Sequence, residues 1–116
     1  KFYKDTFNDK EMLEKTLQKI NELNNYSLEK KIVFFVNIIP DFRYLNNYPF
    51  LDEEKILINF FQNKNIKYIQ GIKYLKNRKS EEYWVSKNDP HPNEKGHKLI
   101  SNYLGKYLEK FYLKSN

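Results

Sequence analysis

Eight residues early in the chain, Ile32-Val33-Phe34-Phe35-Val36-Asn37-Ile38-Ile39, are apolar at every position but one and end at Pro40. A β-branched and aromatic run without alternation predicts a strand covered on both faces, as in the parallel sheets of α/β domains. Such a strand needs helices above and below it and neighbours on both edges. The rest of the chain is therefore read first for what it can lay against this run.

Helices are plentiful. Asn8 and Glu11 have capping-box spacing ahead of Leu13, Leu17, Ile20 and Leu23, which predicts a helix from about Asp9 to Asn24, with the segment to Lys30 as a link. Asp52 is placed to cap a second helix through Ile56, Leu57, Phe60 and Phe61, ended by Asn63-Lys64-Asn65. Ile66 to Gln70 reads as a shorter strand closed by Gly71. Strand, helix and strand at this spacing predict a right-handed parallel βαβ unit. The stretch from Ile72 to Lys87 is weakly patterned and reads as short helical turns. A last helix carries the stripe Ile100, Tyr103, Leu104, Tyr107, Leu108 and Phe111, with Gly105 as a point of close approach to the sheet. The expected fold class is α/β: a three-layer αβα, flavodoxin-like parallel sheet to which this chain contributes about two strands and three to four helices.

The segment from Asp41 to Pro49 falls at the expected C-terminal edge of the sheet, where α/β folds place ligand contacts. Asp41, Arg43 and Tyr44 are candidate substrate-loop residues there, and Trp84 is a candidate wall of the same site. Ordinary loop and core packing is the alternative for all four.

Residues chosen for chemistry rather than packing gather in Asp89-Pro90-His91-Pro92-Asn93-Glu94-Lys95-Gly96-His97. Each proline fixes its own φ and biases the residue before it towards extended geometry, so the acid and the imidazole sit on a stiff segment. Asn93 is a good N-cap for the helix that follows, and Glu94 suits its positive end. The helix dipole disfavours a charge on His91 while a carboxylate at Asp89 favours it. These opposed influences suit a histidine that works as a base. An orienting acid, a base and a capped helix make half of a catalytic triad; loop and capping roles alone are the other reading.

D-x-H-P-N-x-x-G-H followed by Leu99-Ile100 resembles the last conserved block of the SGNH (GDSL-type) hydrolases, a family of serine esterases, lipases and acyl transferases. By that resemblance Asp89 and His91 are the catalytic acid and base. The family more often places its acid three residues before the histidine, at Asn88 here. An amide carries no negative charge, so Asp89 is the expected acid and Asn88 the alternative position. The resemblance assigns His97 no catalytic role.

The same resemblance shows what this stretch lacks. The family's nucleophilic serine lies in a Gly-Asp-Ser block, and its oxyanion hole adds a glycine and an asparagine from two further blocks. Ser27, Ser80, Ser86, Ser101 and Ser115 all lack a preceding Gly-Asp, and Gly71, Gly96 and Gly105 lie outside any such motif. The expectation is that residues 1–116 form a single segment, the C-terminal part of one SGNH-like domain. An N-terminal half, from the same protein or a partner chain, would supply the nucleophile.

The resemblance implies an ester hydrolase, or an O-acyltransferase, acting on a small ester or an acylated glycan or lipid without a cofactor. A non-catalytic binding or scaffold domain on the same core is the alternative. The family resemblance favours the cell envelope or secretion, although Lys1-Phe2-Tyr3-Lys4 does not read as a signal peptide. No apolar run reaches membrane-spanning length. The absence of cysteine excludes disulfides and thiolate metal sites. A formal net charge of +6 would suit an anionic partner, but the lysines spread through every segment, so nucleic acid is not expected.

Overall fold

The structure is a computed structural model that describes residues 2–113. It mixes helices with two small sheets of two strands each, consistent with an α/β chain. The chain divides into two compact units. One comprises the residues up to Ile38 together with Phe50–Ile69, the other Ile39–Pro49 together with the chain from Gln70 onward.

In the first unit α1 (Phe2–Asn8) is followed after one residue by α2 (Lys10–Glu29). Asp9 separates them and caps α2, its side chain accepting the Met12 N–H at 3.1 Å. The cap is thus one residue later than the Asn8 box predicted, because Asn8 still belongs to α1. α2 also runs past Asn24 through Tyr26-Ser27-Leu28, the expected link. No glycine or proline interrupts those residues, and Asn24 and Ser27 continue the buried face while Leu23 is exposed.

The helix ends at Glu29, and beyond its C-cap Lys30 the chain turns at Lys31, in the left-handed region at φ 57°. There the Ile32 N–H reaches the Ser27 carbonyl at 2.8 Å and the Lys31 N–H the Leu28 carbonyl at 3.2 Å, a Schellman closure. α3 (Leu51–Asn63) ends the same way at Asn65, φ 54°, with the Ile66 N–H bonded to the Phe61 carbonyl at 2.8 Å. Its start differs from expectation. The N-cap is Phe50 with no side-chain cap bond, and Asp52 lies inside the first turn with Glu53 and Glu54, where negative charge suits the dipole.

The apolar run forms a strand only at β1 (Val36–Ile38), paired with β2 (Tyr68–Gln70). The expectation of a strand from Ile32 to Ile39 covered on both faces is therefore corrected: Ile32, Val33 and Ile39 are each more than half exposed. A run selected for burial is buried only where neighbours exist, and among the described residues β1 pairs with one strand. The core beside it centres on Leu17, Phe61 and Ile66, with Leu13, Ile20, Phe34, Val36, Leu57 and Tyr68 packed against them. Phe61 is 1% exposed and meets Phe60 edge-on at 6.2 Å between ring centroids.

In the second unit a 3-10 turn (Phe42–Tyr44) precedes α4 (Ile72–Leu75), a second 3-10 turn (Ser80–Tyr83), and the antiparallel hairpin β3 (Trp84–Ser86) and β4 (Asp89–Pro92). The short helical turns expected from Ile72 to Lys87 are present at Ile72–Leu75 and Ser80–Tyr83, and the hairpin replaces them only from Trp84 onward. α5 (Glu94–Leu108) follows, continued by a π-helical turn (Glu109–Leu113). Phe42, Leu45, Ile72, Leu75, Ile100 and Tyr103 are buried, and Tyr74 stacks on Tyr103 at 5.1 Å. Phe111, at the far end of the stripe, is exposed.

Truncating Phe61 to alanine removes the most enclosed ring of the first unit and is expected to cost roughly 3–5 kcal/mol. Ile39→Ala, at an exposed position, is expected to stay within about 1 kcal/mol. Urea unfolding of both variants checks the contrast, and equal losses would contradict the assigned core.

Candidate functional site

β4 is the sequence Asp89-Pro90-His91-Pro92 laid out as a strand. Asp89 and His91 bring their side chains together, and Pro92 stands across from Trp84; the ladder shifts register between the Trp84–Pro92 and Ser86–Asp89 pairs, so β4 does not alternate regularly. Pro92 is anchored by Gly96, the third residue of α5. A Cβ there would lie 2.9 Å from Pro92 Cβ, 3.0 Å from Phe42 Cε1 and 3.2 Å from the Tyr83 carbonyl. Close approach to α5 is thus made at Gly96. Gly105, expected to play that part, would have nothing within 4 Å of an added Cβ.

Asn93 ties strand to helix. Its Oδ1 accepts the Gly96 N–H at 3.0 Å, as an N-cap should. Its side-chain amide donates to the carbonyls of Trp84 at 2.9 Å and Glu82 at 3.1 Å, and its backbone N–H donates to the Tyr83 carbonyl at 2.8 Å. Capping was legible in the sequence. The two amide donations were not, because they depend on a hairpin that the pattern did not reveal.

On the open face, Asp89 Oδ1 lies 2.6 Å from His91 Nδ1 and also accepts the His91 backbone N–H at 3.1 Å. The imidazole's first partner is thus Asp89. Asn88 lies in the two-residue turn between β3 and β4, outside the strand. Hydrogen bonding from the His91 ring, then from its backbone N–H, holds the Asp89 carboxyl below the usual carboxylate range, against a smaller effect of burial. The Asp89 and His91 side chains are 46% and 84% exposed. His97 is exposed in the first turn of α5.

Of the candidate substrate-loop residues, Asp41 caps the 3-10 turn by accepting the Arg43 N–H at 3.0 Å and grips the Arg43 guanidinium with both oxygens. Burial raises the Asp41 carboxyl, but the hydrogen bonds and charge of Arg43, helped by His91, outweigh it and leave the group lowered. The Arg43 guanidinium sits 5.5 Å over the Tyr44 ring. Trp84 is half-buried, and its indole N–H donates to the Phe42 carbonyl at 2.9 Å, so it braces the turn against the hairpin.

Of the serines, Ser27 is buried in α2 and Ser115 lies outside the described residues. Ser80 Oγ is buried and accepts the Leu45 N–H at 2.9 Å, and Ser101 Oγ donates to the Lys98 carbonyl at 3.0 Å. Ser86 pairs in register with Asp89 across the hairpin. It therefore stands across from the acid rather than from His91. Among the described residues no group of three His, Asp or Glu side chains is arranged to hold a metal ion, and no helix is long and apolar enough to cross a membrane. Compared with known proteins, the chain matches no family model, no curated sequence and no solved structure.

Asn93→Asp keeps the cap but sets a carboxylate against two carbonyls, with an expected loss of roughly 2–3 kcal/mol at neutral pH. The loss should shrink in acid, where the protonated group can donate again. Asp41 and Asp89 have folded-state pKa values below their unfolded ones. Their contribution to stability is full above the ordinary value of about 3.9 and is lost as pH falls through the folded values. Thermal unfolding followed down through that window should show Asp89→Asn losing less stability than the unsubstituted chain.

Proposed function

We propose that this chain supplies the acid and base of a serine-dependent acyl-transfer site, as an ester hydrolase of the SGNH type, with Asp89 as the acid and His91 as the base. The observation that carries the reading is the 2.6 Å contact between Asp89 Oδ1 and His91 Nδ1 on the open face of β4. A carboxylate that accepts the Nδ1–H leaves the imidazole's lone pair on Nε2. That nitrogen takes the proton of a serine hydroxyl as its oxygen attacks the ester carbonyl. The imidazolium, balanced by Asp89, returns the proton to the leaving alkoxide. Water then releases the acid from the acyl-enzyme; a second hydroxyl in its place makes the protein an O-acyltransferase.

The hydrogen bonds of Ser80 and Ser101 and the register of Ser86 support a nucleophile and an oxyanion hole that come from residues outside this chain. On the same reading β1 and β2 belong to a flavodoxin-like, three-layer parallel sheet whose other strands lie outside it too. The exposure of Ile32, Val33 and Ile39 supports that view, since such residues are ordinarily covered in a complete sheet.

In a polypeptide that joins this chain to a Gly-Asp-Ser segment, His91→Ala is expected to lower turnover of a short acyl ester by several powers of ten. His97→Ala should cost far less. Asp89→Asn should lower turnover by roughly 10³–10⁴, through loss of the counter-charge and of tautomer control, and Asn88→Ala only mildly. Residues 1–116 alone should take no label from a serine-directed fluorophosphonate. A stoichiometric adduct on Ser86, or on any serine of this chain, would refute the external nucleophile. A joined polypeptide that is neither labelled nor active would favour the scaffold reading.

A further inference from the structure

The 3-10 turn that carries Asp41 and Arg43 lies against β4. Two features set its place. Phe42 and Pro92 converge on Gly96, each within 3.0 Å of the point a Cβ would occupy there. Asp41 directly precedes Phe42, and His91 directly precedes Pro92. In addition Trp84, the cross-strand partner of Pro92, donates its indole N–H to the Phe42 carbonyl at 2.9 Å. The turn is thereby pinned to the hairpin that holds the imidazole. Asp41 is itself held: its side chain is 13% exposed and engaged by both the backbone and the guanidinium of Arg43.

We propose that Asp41, oriented and partly balanced by Arg43, is a positioning residue of the same site: a second carboxylate whose charge favours the protonated imidazole of His91. This rests on the reading of His91 as the base. Asp89 acts on the imidazole by contact, and its half-exposed side chain leaves it screened by water. Asp41 acts through space from a more enclosed position, where a fixed charge is less screened and needs no reorientation as imidazolium forms. The other charged or titratable side chains on the elements against β4 are Tyr44 on the first 3-10 turn, Glu81, Glu82 and Tyr83 on the second, and Glu94, Lys95, His97 and Lys98 in the first turns of α5. The charges that act on Asp41 are those of Arg43 and His91. Coupling is reciprocal, so the interaction between the two groups can be read from the Asp41 carboxyl.

The test is a carbon-detected NMR titration of the Asp41 and Asp89 carboxyls in the full chain, unsubstituted and as His91→Gln and Arg43→Met. His91→Gln should move both midpoints upward, and Arg43→Met should move Asp41 upward by more, since Arg43 is the larger influence. A purely structural role for Asp41 does not respond to the loss of the imidazole. If His91→Gln moves Asp89 and leaves Asp41 unchanged, the proposal is overturned and the Asp89–His91 pair stands. If it moves neither, the pair fails and the proposal with it. Should Arg43→Met unfold the turn, visible in the amide spectrum, the His91→Gln arm decides alone.

Discussion

Asn93 is the residue on which the geometry of the candidate site depends. It receives one hydrogen bond at Oδ1 and gives three, two from the side-chain amide and one from the backbone, to Trp84, Glu82 and Tyr83. Each is worth about 1 kcal/mol net, yet a buried or half-buried partner left unmade costs more. Four bonds on one residue therefore decide where α5 begins relative to the hairpin. Aspartate and serine cap helices equally well, but neither donates twice in the direction of the hairpin carbonyls. Gly96 completes the joint: with no Cβ, the first turn of α5 settles onto Pro92 and Phe42.

The Asp89–His91 pair needs little of this architecture in order to form. Asp89 and His91 are two residues apart in one extended segment, which the prolines on either side of His91 hold in place. What a local pair does not supply is a low-dielectric surrounding. With His91 84% exposed, the pair sits in solvent-like conditions where a charge interaction is largely screened. Triad chemistry draws most of its power from donors and walls around the reacting carbonyl. The tertiary structure sets one organised charge pair, Asp41–Arg43 on its 3-10 turn, beside β4.

Two helices of the first unit close their backbones alike and differ in what their closing residues meet. Helices α2 and α3 both end in Schellman closures, at Lys31 and Asn65, and each brings an isoleucine, Ile32 or Ile66, immediately after the turn. Ile66 finds its place in the core against Phe61. Ile32 is exposed, although its backbone is closed in the same way. The difference lies in the surroundings of each residue, because capping geometry places a side chain without providing anything for it to pack on.

Local physics was legible in the sequence. Asn93 capping α5, the stop of α3 at Asn63-Lys64-Asn65, the extended Asp-Pro-His-Pro segment and the α-helical stripe at Ile100 and Tyr103 each depend on residues within one or two turns. Such signals survive without knowledge of the fold because conformational preference and short-range hydrogen bonds act within a few residues. The hairpin of β3 and β4, the role of Gly96 and the neighbourhood of Asp41 and His91 were decided only by tertiary structure. So was the exposure of Ile32, Val33 and Ile39. A sequence states which residues favour burial or pairing. Which partners they meet is set by long-range packing, because burial and close approach are properties of pairs of surfaces.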